Sequence, residues 1–112
     1  MTADTMQDEF LLVMTTCPTK DSATELAKAL VEAKIAACIQ ISAPVTSIYS
    51  WEDEISEESE FALHIKCMAK NYPALENKVK QLHPYQVPEL IAVSLTNGLP
   101  AYFDWIKETT TP

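Results

Sequence analysis

Few side chains in this sequence can do chemistry, and their spacing narrows what that chemistry is. The histidines are His64 and His83, and the cysteines are Cys17, Cys38 and Cys67. His83 stands between an apolar-striped segment and a Pro-Tyr turn, where ring and backbone are both constrained. It can act as a structural hydrogen-bonding group or, with a thiolate or carboxylate beside it, as a ligand for a borderline metal such as copper. His64 lies on the polar side of an alternating stretch and reads as an exposed residue. Cys38 and His83 could pair as nucleophile and base, yet a cysteine in an Ala-Ala-Cys setting is more often a small buried hydrophobe. Glu52, Asp53, Glu54, Glu57, Glu58 and Glu60 put six carboxylates into nine residues. Clustered oxygens bind hard cations, but this run has no calcium-loop spacing and no glycine, so a solvated bend is the stronger reading.

Several chemistries are excluded. No Cys-x-x-Cys pair exists, which removes a thioredoxin-type site, a two-thiol copper loop and zinc spacing. The single glycine, Gly98, rules out a P-loop and a dinucleotide fingerprint. A net charge of −8 argues against a nucleic-acid backbone or an anionic membrane as partner. Three cysteines without repeated spacing suit a reducing, cytoplasmic compartment. The opening residues show neither the basic nor the apolar region of a secretory signal, and no apolar run is long enough to span a bilayer. Without a catalytic motif, the expectation is a soluble protein that is not an enzyme.

The elements that must position these residues follow from periodicity. Residues 1–8 read as a frayed polar tail ahead of one domain over 9–109. Residues 10–14, FLLVM, are a strand covered on both faces. Ser22 to Glu25 fit a capping box opening a helix that ends near 34–36, with Leu26, Leu30, Ala33 and Ala37 on one side. Residues 36–68 read as a long hairpin. Its first arm alternates, with Ala37, Ile39, Ile41, Ala43, Val45, Tyr49 and Trp51 on the odd positions. Pro44 makes that arm an edge strand or bulges it. The bend, near 53–56, lacks the glycine of a primed turn. A second helix starts at Asn71-Tyr72-Pro73, buries Leu75, Val79 and Leu82, and stops at His83-Pro84. Residues 90–95 are a last strand, Asn97-Gly98 turns the chain, and Pro100 opens a short helix. Two βαβ halves joined by a hairpin make an α+β, ferredoxin-like βαββαβ sandwich with an extra C-terminal helix. Arms of about 40 Å are too long for their own domain to cover. The hairpin tip either stands in water or is covered by a second copy, and an apolar last strand at a sheet edge is a second hint of an oligomer.

Ordered fragments then carry a resemblance. Ala36-Ala-Cys38, Ser47-Ile-Tyr49-Ser-Trp51-Glu52, Lys66, His83-Pro84-Tyr85-Gln-Val-Pro88-Glu89 and Tyr102-Phe-Asp-Trp105-Ile106 together resemble the CutA divalent-cation tolerance family. The resemblance implies a homotrimer with the hairpins packed between neighbours. It also implies a role in tolerance of copper and other divalent cations, with no settled enzymatic activity. On that basis His83 and Glu89 are the candidate metal ligands for copper or another divalent cation. Cys38, Tyr49, Trp51, Lys66, Tyr85 and Trp105 are the signature or cleft residues. The trimer also resembles PII signalling proteins, so a scaffold binding a small metabolite or protein in its intersubunit clefts is the alternative. The chain departs from the family where Asp53 replaces the usual glycine and Cys67 the usual threonine. At the positions of a proposed bacterial copper site it carries Thr15, Leu82 and His83, of which only His83 is retained.

Overall fold

The computed structural model describes residues 9–111, so the tail expected at 1–8 lies outside the described residues. The chain runs β1 (Phe10–Cys17), α1 (Lys20–Glu32), β2 (Cys38–Trp51), β3 (Glu54–Met68), a 3-10 turn (Ala69–Asn71), α2 (Tyr72–Leu82), β4 (Ile91–Ser94) and α3 (Pro100–Thr109). The four strands form one antiparallel sheet in the order β2-β3-β1-β4. This is the ferredoxin-like arrangement, with β1 and β3 central.

The core lies between one sheet face and the first two helices. Val13 and Cys17 of β1 and Leu63, Ile65 and Cys67 of β3 pack there against Leu26, Leu30, Leu75 and Val79. The helix α1 opens earlier than expected: Thr19 is the N-cap, its hydroxyl taking the Ser22 N–H at 3.0 Å. Ser22 is therefore the third helical residue, because Thr19 offers the first hydroxyl after Pro18. The helix closes at Ala33, with Lys34 left-handed at φ 60°. Ala33 and Ala37 thus lie outside the helix, Ala33 exposed and Ala37 buried in a different cluster, and Leu82 of α2 faces solvent.

Two segments pack against the opposite sheet face, one towards each end. At one end α3 packs Ile106 against Phe10, Ala37 and Met68, and Phe103 stacks on Phe10 with ring centroids 4.3 Å apart. Gly98 has an ordinary negative φ, so it is not there for a left-handed turn. It is there for space, since a Cβ would lie 2.5 Å from the Phe103 ring. At the other end residues 84–89 fold over the sheet.

The hairpin differs from its sequence reading in two ways. Trp51 pairs with Glu54, leaving Glu52 and Asp53 as a two-residue loop with φ of 51° and 65°. That is the primed turn that the lack of glycine had argued against; the right-handed twist of the arms selects it over the residues' own preference. In the first arm the register shifts between Ile41 and Pro44, so Ser42 and Ala43 together oppose Ala62. The Ser42 hydroxyl accepts the Ala62 N–H at 2.9 Å, replacing the ladder bond that the bulge removes. The odd positions therefore do not share one face. Ile39 and Ile41 turn to the core, whereas Val45, Tyr49 and Trp51, beyond the bulge, turn to the opposite face beside Glu60, Ser56 and Glu54.

Candidate functional site

The bulge and residues 84–89 together build a groove of about 760 Å³ on the face away from α1 and α2. Its floor is Thr16 of β1, Ser47 of β2 and Glu60 of β3, all on the same side of the sheet. Tyr49 and Trp51 stand at its rim, 40% and 49% exposed. Tyr85 and Glu89 contribute from the covering segment.

Glu60 is the centre of this arrangement. Although six residues from the bend, it is only 5% exposed. Its Oε2 accepts the Tyr85 hydroxyl at 2.8 Å and the Thr16 hydroxyl at 3.3 Å. Burial, and then the adjoining Glu60 carboxylate, push the Tyr85 hydroxyl well above the usual phenol range. Tyr85 therefore keeps its proton and remains a donor to Glu60. Glu60 was read as one of six bend carboxylates. Counting cross-strand pairs back from the turn would have set it apart, since its partner is Val45.

His83 is placed behind this wall. Its Nδ1 accepts the Tyr85 N–H at 3.1 Å, so the proton sits on Nε2, which donates to the Thr16 carbonyl at 2.6 Å. The ring is 8% exposed and tilted against Tyr85 at 4.9 Å. Both nitrogens are engaged, and a metal could use one only by displacing a backbone group. The Thr15 hydroxyl donates to the Glu89 carbonyl at 2.6 Å, a second tie between β1 and the covering segment. His83 and Thr15 thus set the position of Tyr85 and Glu89. Among the described residues no group of three or more His, Cys, Asp and Glu side chains gathers as a metal cluster.

The other signature residues lie elsewhere. Cys38 pairs with Lys66 across the ladder, and the Lys66 ammonium donates to Gln40 Oε1 at 2.8 Å. Trp105 stacks on Tyr102 at 5.6 Å. Burial, and then neighbouring Cys38, push Tyr102 upward. This second group sits at the α3 end, six residues along β3 from Glu60, or about 20 Å. Tyr49, Trp51, Tyr85 and Glu89 are brought together; Cys38, Lys66 and Trp105 are not part of that groove.

The sequence model of the CutA1 divalent ion tolerance protein family matches residues 11–109. The chain belongs to that family. It is 42% identical over 99 residues to the divalent-cation tolerance protein CutA of Thermus thermophilus, covering 88% of this chain and 96% of the relative. To Protein CutA of Mus musculus it is 41% identical over 95 residues, covering 85% of this chain and 54% of the relative. It thus spans nearly all of the bacterial CutA and about half of the mouse protein. Among solved structures, CutA1 from the psychrotrophic bacterium Shewanella sp. SIB1 superposes with a TM-score of 0.89 at 48% identity, over 92% of this chain and 96% of that one. CutA from Xylella fastidiosa gives 0.90 at 35% identity, over 92% and 99%. Among the described residues no helix is long and apolar enough to cross a membrane.

Proposed function

We propose that the chain serves in tolerance of divalent cations, copper among them, by binding metal in the groove rather than by turning over a substrate, as a cytoplasmic homotrimer. The observation that supports this reading is the groove's donor set: Thr16, Glu60, Tyr85 and Glu89 all present oxygens. Carboxylate and hydroxyl oxygens suit harder divalent ions, whereas copper favours imidazole. Binding of copper would thus draw His83 away from Tyr85, and binding of manganese would not. Calorimetric titration with Cu(II) and with Mn(II) checks this. Saturable binding is expected, weakened several-fold or more by Glu89→Gln for either ion and by His83→Ala for Cu(II) only. Binding that both variants leave unchanged would remove the groove as the metal site.

Assembly is supported by what the protomer leaves uncovered. Ile91 and Val93 on the edge strand β4, and Ile48, Trp51 and Ile55 on the hairpin, are about half exposed or more. Bare apolar strands of this kind are covered by a partner in stable proteins. The groove's volume supports the PII-like alternative, since about 300–1,000 Å³ is usual for small-molecule sites. A thermal-shift screen of metals against metabolites separates the two, because only a ligand that prefers the folded state raises the transition.

A further inference from the structure

The groove's lining narrows its ligand beyond a choice between metal and metabolite. Each charged side chain among the described lining residues is a carboxylate: Glu60, buried in the floor, and Glu89, at the mouth. None of them is lysine or histidine, and the sequence contains no arginine. A phosphate or carboxylate ligand would meet like charge and find no cationic fork to pair with. Size matters as well. One water occupies roughly 30 Å³ of liquid, so a single metal ion leaves most of this groove unfilled.

The remaining walls are apolar. Val87, Pro84 and Pro88 line them from the covering segment, and the rings of Tyr49 and Trp51 stand at the rim. Aromatic faces attract cations, and an apolar body gains from displacing water along such walls. The carboxylate is also held in place before any ligand arrives, by the Thr16 and Tyr85 hydroxyls on one oxygen. We infer that the groove binds a small organic ammonium ion, its nitrogen at the Glu60 carboxylate and its apolar body along Val87, Pro84 and Pro88. This rests on the groove being the functional site, and it differs from the metal reading in the ligand.

A shape-matched pair tests it. Phenethylammonium and phenylpropanoate share a skeleton and differ in the sign of their charge. In calorimetric titrations of the whole protein at neutral pH, the ammonium ion is expected to bind at least tenfold more tightly than the anion. Glu60→Gln should weaken the cation at least tenfold, and Tyr49→Leu several-fold. Glu89→Gln, at an exposed position, gives a charge test that does not depend on the buried network. Equal binding of the two ions, binding of neither, or cation affinity unchanged in both glutamate variants would overturn the inference. Loss of the ammonium result with Glu89-dependent metal binding intact would sink this inference alone; loss of both would sink the groove as a site.

Discussion

Glu52 and Asp53 carry left-handed backbone without the glycine that usually accommodates it. A non-glycine residue there costs about 1–2 kcal/mol. Asp53→Gly should therefore stabilise the protein by about 1 kcal/mol, seen as a higher midpoint in urea denaturation; an unchanged or lower midpoint would show that the turn is not strained. The cysteines differ by burial. Cys67 is fully buried and its thiol is pushed up to about 11, while Cys17 is also buried and shifted upward. Of the three, Cys38 alone is partly exposed. Alkylation of the folded protein under mildly alkaline conditions should modify Cys38 first, as read by peptide mass spectrometry, because a buried neutral thiol is inert. Much at this scale was legible in the sequence. His83 announced itself by its position between a helix and Pro84-Tyr85, and the structure gives it a backbone-holding task. Glu60 was not legible, because in the linear sequence it is one more acid in a run of them. Only pairing across the hairpin separates it from its neighbours.

Element boundaries depend on short-range competition that periodicity does not see. Thr19 captured the start of α1 ahead of Ser22 because its hydroxyl reaches the third helical N–H. Thr19→Ala should cost about 1 kcal/mol, measurable by chemical denaturation. Gly98 illustrates the opposite case: a turn signal in sequence that is a packing requirement in space. Gly98→Ala would push on the Phe103 ring and disturb its stack on Phe10, at a cost of about 1–3 kcal/mol for overpacking. A thermal transition equal to the wild type would show that the ring moves freely. In β2, Pro44 did mark an irregularity, and alternation did identify the strand. Alternation alone missed the shift in faces, because a bulge leaves the composition of both arms untouched.

At the scale of the whole molecule, length is the dominant fact. The arm β2 has 14 residues, about 46 Å when extended, matching the longest dimension of 46 Å. The radius of gyration of 15.0 Å exceeds the about 13 Å of an ordinary domain of this size, since the hairpin projects past the helices. The proposed trimer would cover it. Trp51→Ala should then weaken assembly more than it destabilises the protomer, and sedimentation showing an unaltered oligomer would count against that role. Stability should also respond to alkali. Cys17, Cys67, Tyr72, Tyr85 and Tyr102 are all pushed upward, burial being the largest cause in each. Their protons leave the unfolded chain first, so stability is full below about pH 9 and is lost as pH rises through the folded values, about 11 for Cys67. Urea midpoints measured across that interval should fall steadily.

The paired Ser42 and Ala43 have a consequence for how this chain can change over generations. They act as a parity bit: one added residue decides which side of the sheet receives everything between Pro44 and the turn. Point substitutions along the arm alter one side chain at a time. Losing or gaining a single codon there would instead exchange the two sides wholesale, carrying Tyr49 and Trp51 away from Glu60. Viable length variants of this arm should therefore arise in steps of two residues, and a deletion scan through 42–51 scored by folding and ligand binding would show it as an alternation between tolerated and lost.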